Sequence, residues 1–268
     1  PAPAASTALT PSAAPASSAP AEGADAPLGL AQAVRAALVQ TPCLLFCAQY
    51  FVSAIIANCA RFFLPTLLKE VYPRLGPAQL GLIFAGPAAL KVALAAPVGA
   101  CADAGGAARR FQMAWGKYAL AAALIMCAGL GMRASGGGGG SARAAALVGM
   151  VAAADVLCQL AIPIFWSLHN SLPLSSVVKG CSIAIVNSLG NTGGFIGPVL
   201  LGHMHDSVTP QSACGADYDA GGPGRGCTAQ WAGGLIVLGI ATLLGTGCVA
   251  AVLRGRLSLP STSAGKGW

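Results

Sequence analysis

Pro163-Ile-Phe165-Trp166-Ser-Leu-His-Asn-Ser-Leu-Pro173 is followed, in a second apolar run, by Asn187-Ser-Leu-Gly190-Asn191-Thr-Gly193-Gly194-Phe195-Ile-Gly197-Pro198. The second run is hydrophobic enough to sit in lipid, yet it carries carboxamides, hydroxyls and glycines at 190, 193, 194 and 197. A helix that only fills a membrane needs Leu, Val and Phe. Small residues instead let two backbones approach closely, and buried amides find partners across the contact. Asn187 and Asn191 are four apart and lie one above the other on one helix face.

Composition agrees with a membrane setting. Hydrophobic residues make up 55% of the chain, charged residues 9%, and the mean hydropathy is +0.70. A soluble domain carries about 25% charged residues, so this chain cannot supply a water-facing surface. The net charge of +7 is scattered. Nucleic-acid binding needs a basic stripe, and none is present. The surplus points instead to topology, an anionic solute or a lipid surface.

Membrane spans need about 20 mostly apolar residues each. Six such runs are legible, at about 43–67, 79–101, 114–132, 146–167, 181–203 and 230–253. The expected fold is therefore an all-α membrane protein, a six-transmembrane-helix bundle over residues 41–256. A short polar tail follows at 257–268. Residues 1–40 read as a disordered Ala/Pro/Ser-rich linker, without the basic flank and apolar core of a signal peptide. That opening suggests the rear part of a longer protein. Placing the amino terminus inside puts eight basic residues on the inner side, against five outside, in keeping with the positive-inside tendency.

Of the ten cysteines, eight fall in or beside apolar runs and read as small packing residues. Cys214 and Cys227 share a polar, Gly-rich outer loop, where a disulfide forms if that loop faces an oxidising compartment. No zinc spacing is present. His203, His205 and Asp206, at a membrane boundary, read as solvated loop residues, and His169 falls in the 169–180 loop. No metal or cofactor is expected. Neither a Gly-x-Ser-x-Gly motif nor a Ser/His/Asp arrangement appears, so the chain is not read as an enzyme.

Ionisable groups inside spans are costly and mark function by default. There are three: Arg61, Lys91 and Asp155. Tyr50, Asn58 and Arg61 share one side of the first span, because eleven residues is close to three helical turns. Arg61 either pairs with a substrate carboxylate, which its planar fork fits, or snorkels to the nearby boundary. Gln159 and Trp166 extend the face of Asp155. Asp155 is either a proton-coupling or gate residue or half of an ion pair with Lys91. Asn187 and Asn191 either bond substrate or stitch helices.

The Pro-x-Phe-Trp segment and the Asn-Ser-x-Gly-Asn-x-Gly-Gly-Phe-x-Gly-Pro run resemble the tenth and eleventh helices of the major facilitator superfamily, in its anion:cation symporter branch. Asn58-Cys-Ala-Arg61-Phe-Phe-Leu-Pro65 is similar to the end of its seventh helix. Gly99-x-x-x-Asp103 followed by Arg109-Arg110 is similar to its loop between helices eight and nine, with Ala104 where a basic residue is usual. Gly202-His-Met-His-Asp206 and Trp231-Ala-Gly-Gly-Leu-Ile-Val-Leu238 resemble the end of helix eleven and the start of helix twelve.

The resemblance implies the carboxyl-terminal six-helix half of a carrier whose partner is a missing amino-terminal half. It implies small organic anions as solutes (sugar acids, dicarboxylates or aromatic acids), coupled to protons or sodium, with the plasma membrane as the default location. Tyr50, Asn58, Arg61, Gln159, Trp166, Asn187 and Asn191 are then substrate-side candidates. Asp155 and Lys91 are coupling or ion-pair candidates, and Asp103, Arg109 and Arg110 form a conformational loop. The alternative is a complete six-helix receptor or scaffold without transport.

Overall fold

The computed structural model describes residues 29–72, 74–134, 141–208 and 227–256. Seven α-helices occur among them: α1 Leu30–Val39, α2 Thr41–Val71, α3 Pro77–Asp103, α4 Gly106–Ala134, α5 Ser141–Asn170, α6 Ser176–Val208 and α7 Cys227–Arg256. α2 to α7 are each long and apolar enough to cross a bilayer. At 1.5 Å per residue they exceed the roughly 30 Å hydrocarbon thickness, so their ends reach the headgroup layer. The chain is an integral membrane protein whose solvent is the lipid bilayer.

The helices start and stop where local chemistry dictates. α3 opens on Pro77, whose missing N–H costs nothing at a first turn. The Gly76 N–H before it donates to Gln79 Oε1 at 2.9 Å. α3 and α4 are joined by a tight turn at Gly106, whose φ of 67° lies in the left-handed region that suits glycine. Pro65, Pro87, Pro97, Pro163 and Pro198 lie inside helices. Membrane helices tolerate them because neighbouring groups satisfy the freed carbonyls.

α2 is the central element, packed against α6, α5 and α7, while α4 packs on α7 and α5. Glycines set two of these contacts. A Cβ on Gly193 would run into the Phe51 carbonyl, so α6 lies on the α2 backbone itself. A Cβ on Gly239 would stand 2.7 Å from the Met126 backbone nitrogen, which fixes α7 equally close to α4. An aromatic cluster fills the middle: Phe46 meets Phe165 at 5.0 Å and Trp115 at 6.1 Å, and Trp115 stacks on Phe111 at 4.5 Å.

α3 is the outlier. It lies outside, on α5 and α4, and no residue between Leu80 and Ala102 is buried. Large apolar side chains such as Leu82, Val92 and Phe195 are exposed, as a lipid-facing surface requires.

Two expectations need correction. The linker expected through residue 40 ends earlier, because Leu30–Val39 is helical. Its Ala-rich sequence favours helix, and Ala33 and Ala37 are buried against Val178. His169 is not on a loop: α5 runs on to Asn170, and His169 is fully buried in its last turn. Cys214 and the side chain of Cys227, with the proposed disulfide, lie outside the described residues, as does the tail at 257–268.

Candidate functional site

Asp155 lies half-way along α5 and is buried. A carboxylate at that depth must find a counter-charge, and two reach it from two other helices. Lys91, from the middle of α3, places Nζ 2.8 Å from Oδ2 and donates a hydrogen bond. Arg61, from α2, places Nε 3.4 Å from Oδ1. That second contact is an ion pair only, since Oδ1 accepts no hydrogen bond. The side chains differ in access: Asp155 is 10% exposed, Lys91 25% and Arg61 47%. The trio thus grades from a buried carboxylate to a half-exposed guanidinium.

Two basic side chains thus converge on one acidic one, from α2 and α3 onto α5. The guanidinium has five N–H donors in a planar fork, and its Nε stands 3.4 Å from Asp155 Oδ1 without a hydrogen bond. A planar anion such as a carboxylate fits that fork.

Tyr50 and Trp166 form an aromatic wall between α2 and α5. Their rings meet edge-on at 5.5 Å, and Tyr50 also stacks on Phe165 at 5.6 Å. Tyr50 lies over Gly190 of α6, where a Cβ would collide with its ring. Gln159 is half-buried one turn beyond Asp155.

No protein-family model, no curated protein and no solved structure matches the chain. The site must therefore be judged on its own geometry.

The remaining candidates separate from the trio. Asn58 sits against Gly194, and its Nδ2 donates to the Ala54 carbonyl at 2.9 Å, so it serves the α2–α6 contact. Asn191 Nδ2 donates to Asn187 Oδ1 at 3.2 Å. Both asparagines are exposed on the bundle surface, and no described contact joins them to Asp155. Across the turn between α3 and α4, Arg110 Nε on α4 pairs with Asp103 Oδ1 at the end of α3 at 3.0 Å, while Arg109 is exposed. His203, His205 and Asp206 belong to the last turns of α6, not to a loop, and His205 packs over Trp231 at 4.3 Å.

Three polar contacts were missed in the sequence. His169 Nε2 and Ser182 Oγ share a hydrogen bond at 2.8 Å, and Ser182 Oγ donates to Cys43 Sγ at 3.1 Å, tying α5, α6 and α2. Gln49 Nε2 donates to Thr246 Oγ1 at 3.4 Å, tying α2 to α7. The signal for His169 was its spacing, four after Phe165, which continues the buried face of α5. A gap between α2, α4, α5, α6 and α7, lined by residues such as Ile56, Ile125, Val151, Leu201 and Trp231, is apolar and offers an anion nothing.

Proposed function

We propose that the chain is the carboxyl-terminal half of a major facilitator superfamily carrier for small organic anions, sugar acids, dicarboxylates or aromatic acids among them. Transport is coupled to protons or sodium and takes place at the plasma membrane. An amino-terminal six-helix half is the partner, and the two rock about a midplane site by alternating access.

One observation carries this reading: Asp155, at the centre of α5, is flanked by two basic side chains, Lys91 and Arg61. An ionisable cluster at that depth is expensive unless it meets water or a solute. Its half-exposed member is the one suited to a carboxylate. Tyr50 and Trp166 stand as the wall for the body of the solute. Asn187 and Asn191 bond to each other and are exposed on α6, and in this reading that surface faces the partner half.

The test is uptake by the full-length protein in liposomes, with a panel of organic acids and imposed proton or sodium gradients. Saturable, gradient-driven uptake that falls sharply in Arg61→Ala supports the carrier. A reconstituted protein that accumulates no organic acid is instead a six-helix receptor or scaffold.

A further inference from the structure

The aromatic wall of Tyr50 and Trp166 has a buried support. Resting on the carrier reading above, we infer that His169 is a positioning residue for the solute, acting through the orientation it gives to Trp166 and Tyr50.

His169 is fully buried in the last turn of α5, three residues after Trp166. Residues three apart on a helix are neighbours on one face, and these two rings meet edge-on at 5.7 Å. His169 also meets Phe46 edge-on at 5.2 Å. Phe46 packs on Phe165 at 5.0 Å, and Phe165 stacks on Tyr50 at 5.6 Å. Both rings of the wall thus rest on the imidazole, one directly and the other through two phenylalanines.

The imidazole is itself held at one point. Ser182 Oγ donates to Cys43 Sγ, so it accepts the Nε2–H of His169. That pairing fixes the neutral tautomer and makes Nδ1 an acceptor. Nδ1 has no partner among the described residues. One hydrogen bond to α6 therefore sets the ring plane, and the ring plane sets the edge against which Trp166 and Phe46 pack. His169 and Ser182 are fully buried within this chain, so the support is built from this chain's own helices.

A positioning ring and a plain tie between α5 and α6 predict different things. His169→Gln keeps an Nε2–H donor for Ser182 but removes the ring. Leu168 is buried in the same turn of α5 and, two residues on from Trp166, points to the other side of the helix. Leu168→Ala therefore weakens the packing without touching the wall.

The experiment uses the full-length protein in proteoliposomes and reads initial uptake rates of radiolabelled benzoate, gluconate and succinate over a range of concentrations. Thermal unfolding in detergent is measured beside it. For each acid that the wild type takes up, His169→Ala raises KM by about threefold to tenfold, the worth of an aromatic edge contact, with the maximal rate little changed. His169→Gln regains melting temperature relative to His169→Ala and keeps the raised KM. Leu168→Ala lowers the melting temperature and leaves KM at the wild-type value. Acrylamide quenching of Trp166, read in a protein whose other tryptophans are replaced by phenylalanine, rises in His169→Gln and not in Leu168→Ala. If His169→Ala does not fold, His169→Gln and Ser182→Ala, which keeps the ring and removes its one hydrogen bond, decide the question by the same rise in KM.

A KM that His169→Gln returns to the wild-type value overturns the inference and leaves the carrier intact. So does a KM raised equally by Leu168→Ala, and so does a KM unchanged in every His169 variant. A wild type that reconstitutes but takes up none of the three acids overturns the carrier reading itself, and the inference falls with it.

Discussion

Lys91 Nζ stands 2.8 Å from Asp155 Oδ2 and joins the middle of α3 to the middle of α5. α3 otherwise lies outside the bundle, with no buried residue along its central stretch. In lipid, apolar surface gives such a helix no reason to stay, because the tails are as apolar as its side chains. The pair therefore positions α3 as well as its charges. Lys91→Met leaves the buried carboxylate with the weaker Arg61 contact alone. Loss of one partner of a buried pair costs 3–5 kcal/mol in soluble cores; with Arg61 still near, about 2 kcal/mol is expected. Thermal unfolding in detergent checks this. Lys91→Met/Asp155→Asn should regain most of the loss, and a double variant as unstable as Lys91→Met contradicts the pairing.

Gly193 and Gly116 make a matched contrast. A side chain at Gly193 meets the Phe51 carbonyl, whereas Gly116 on α4 has open space around it. Gly193→Ala should destabilise by about 1–3 kcal/mol as α6 is pushed off α2. Gly116→Ala should be neutral or stabilising by up to about 1 kcal/mol, through helix propensity. Equal melting temperatures for the two variants contradict the close α2–α6 contact.

His169 and Ser182 should behave as one unit. Ser182→Ala removes a hydrogen bond inside the bundle and costs about 1–2 kcal/mol. His169→Ala also opens a cavity beside Phe46 and Trp166, at about 3 kcal/mol. The double variant should lose less than the two single losses added, since both break the same bond. Full additivity in chemical or thermal unfolding contradicts the shared bond.

Asp103 and Arg110 separate stability from turnover. Asp103 is 66% exposed, and exposed pairs are worth about 0–1 kcal/mol. Asp103→Asn should therefore leave the melting temperature nearly unchanged. If the turn moves during alternating access, as the family resemblance implies, the uptake rate falls in the same variant. Unchanged uptake removes the turn from the conformational cycle.

Much of the fold was legible because lipid imposes so strict a grammar. Each of the six apolar runs became one helix, and each helix extended a few residues past its run. Polar end residues such as Ser141 and Ser176 carry no hydropathy, yet they continue the backbone ladder into the headgroup layer. α1 was hidden for a different reason: its alanines and valines resemble the Ala/Pro-rich stretch before it, and the tertiary contact with Val178 is invisible in sequence. The Lys91–Asp155 pair could be suspected, because two opposite charges in apolar spans have few other solutions. Arg61 as its third member could not, because one helix face says nothing about which neighbour it meets. Asn187 and Asn191, candidates for bonding substrate or stitching helices, bond to each other and are exposed on the bundle surface. Helical spacing sets which residues share a side but not what that side faces.

Initial-rate uptake of a radiolabelled organic monoacid by the full-length protein in liposomes, wild type beside Arg61→Ala and Asp155→Asn, tests the central claim most directly. The account predicts saturable uptake that loses at least about tenfold in Arg61→Ala and falls in Asp155→Asn. Normal uptake in both variants would contradict it.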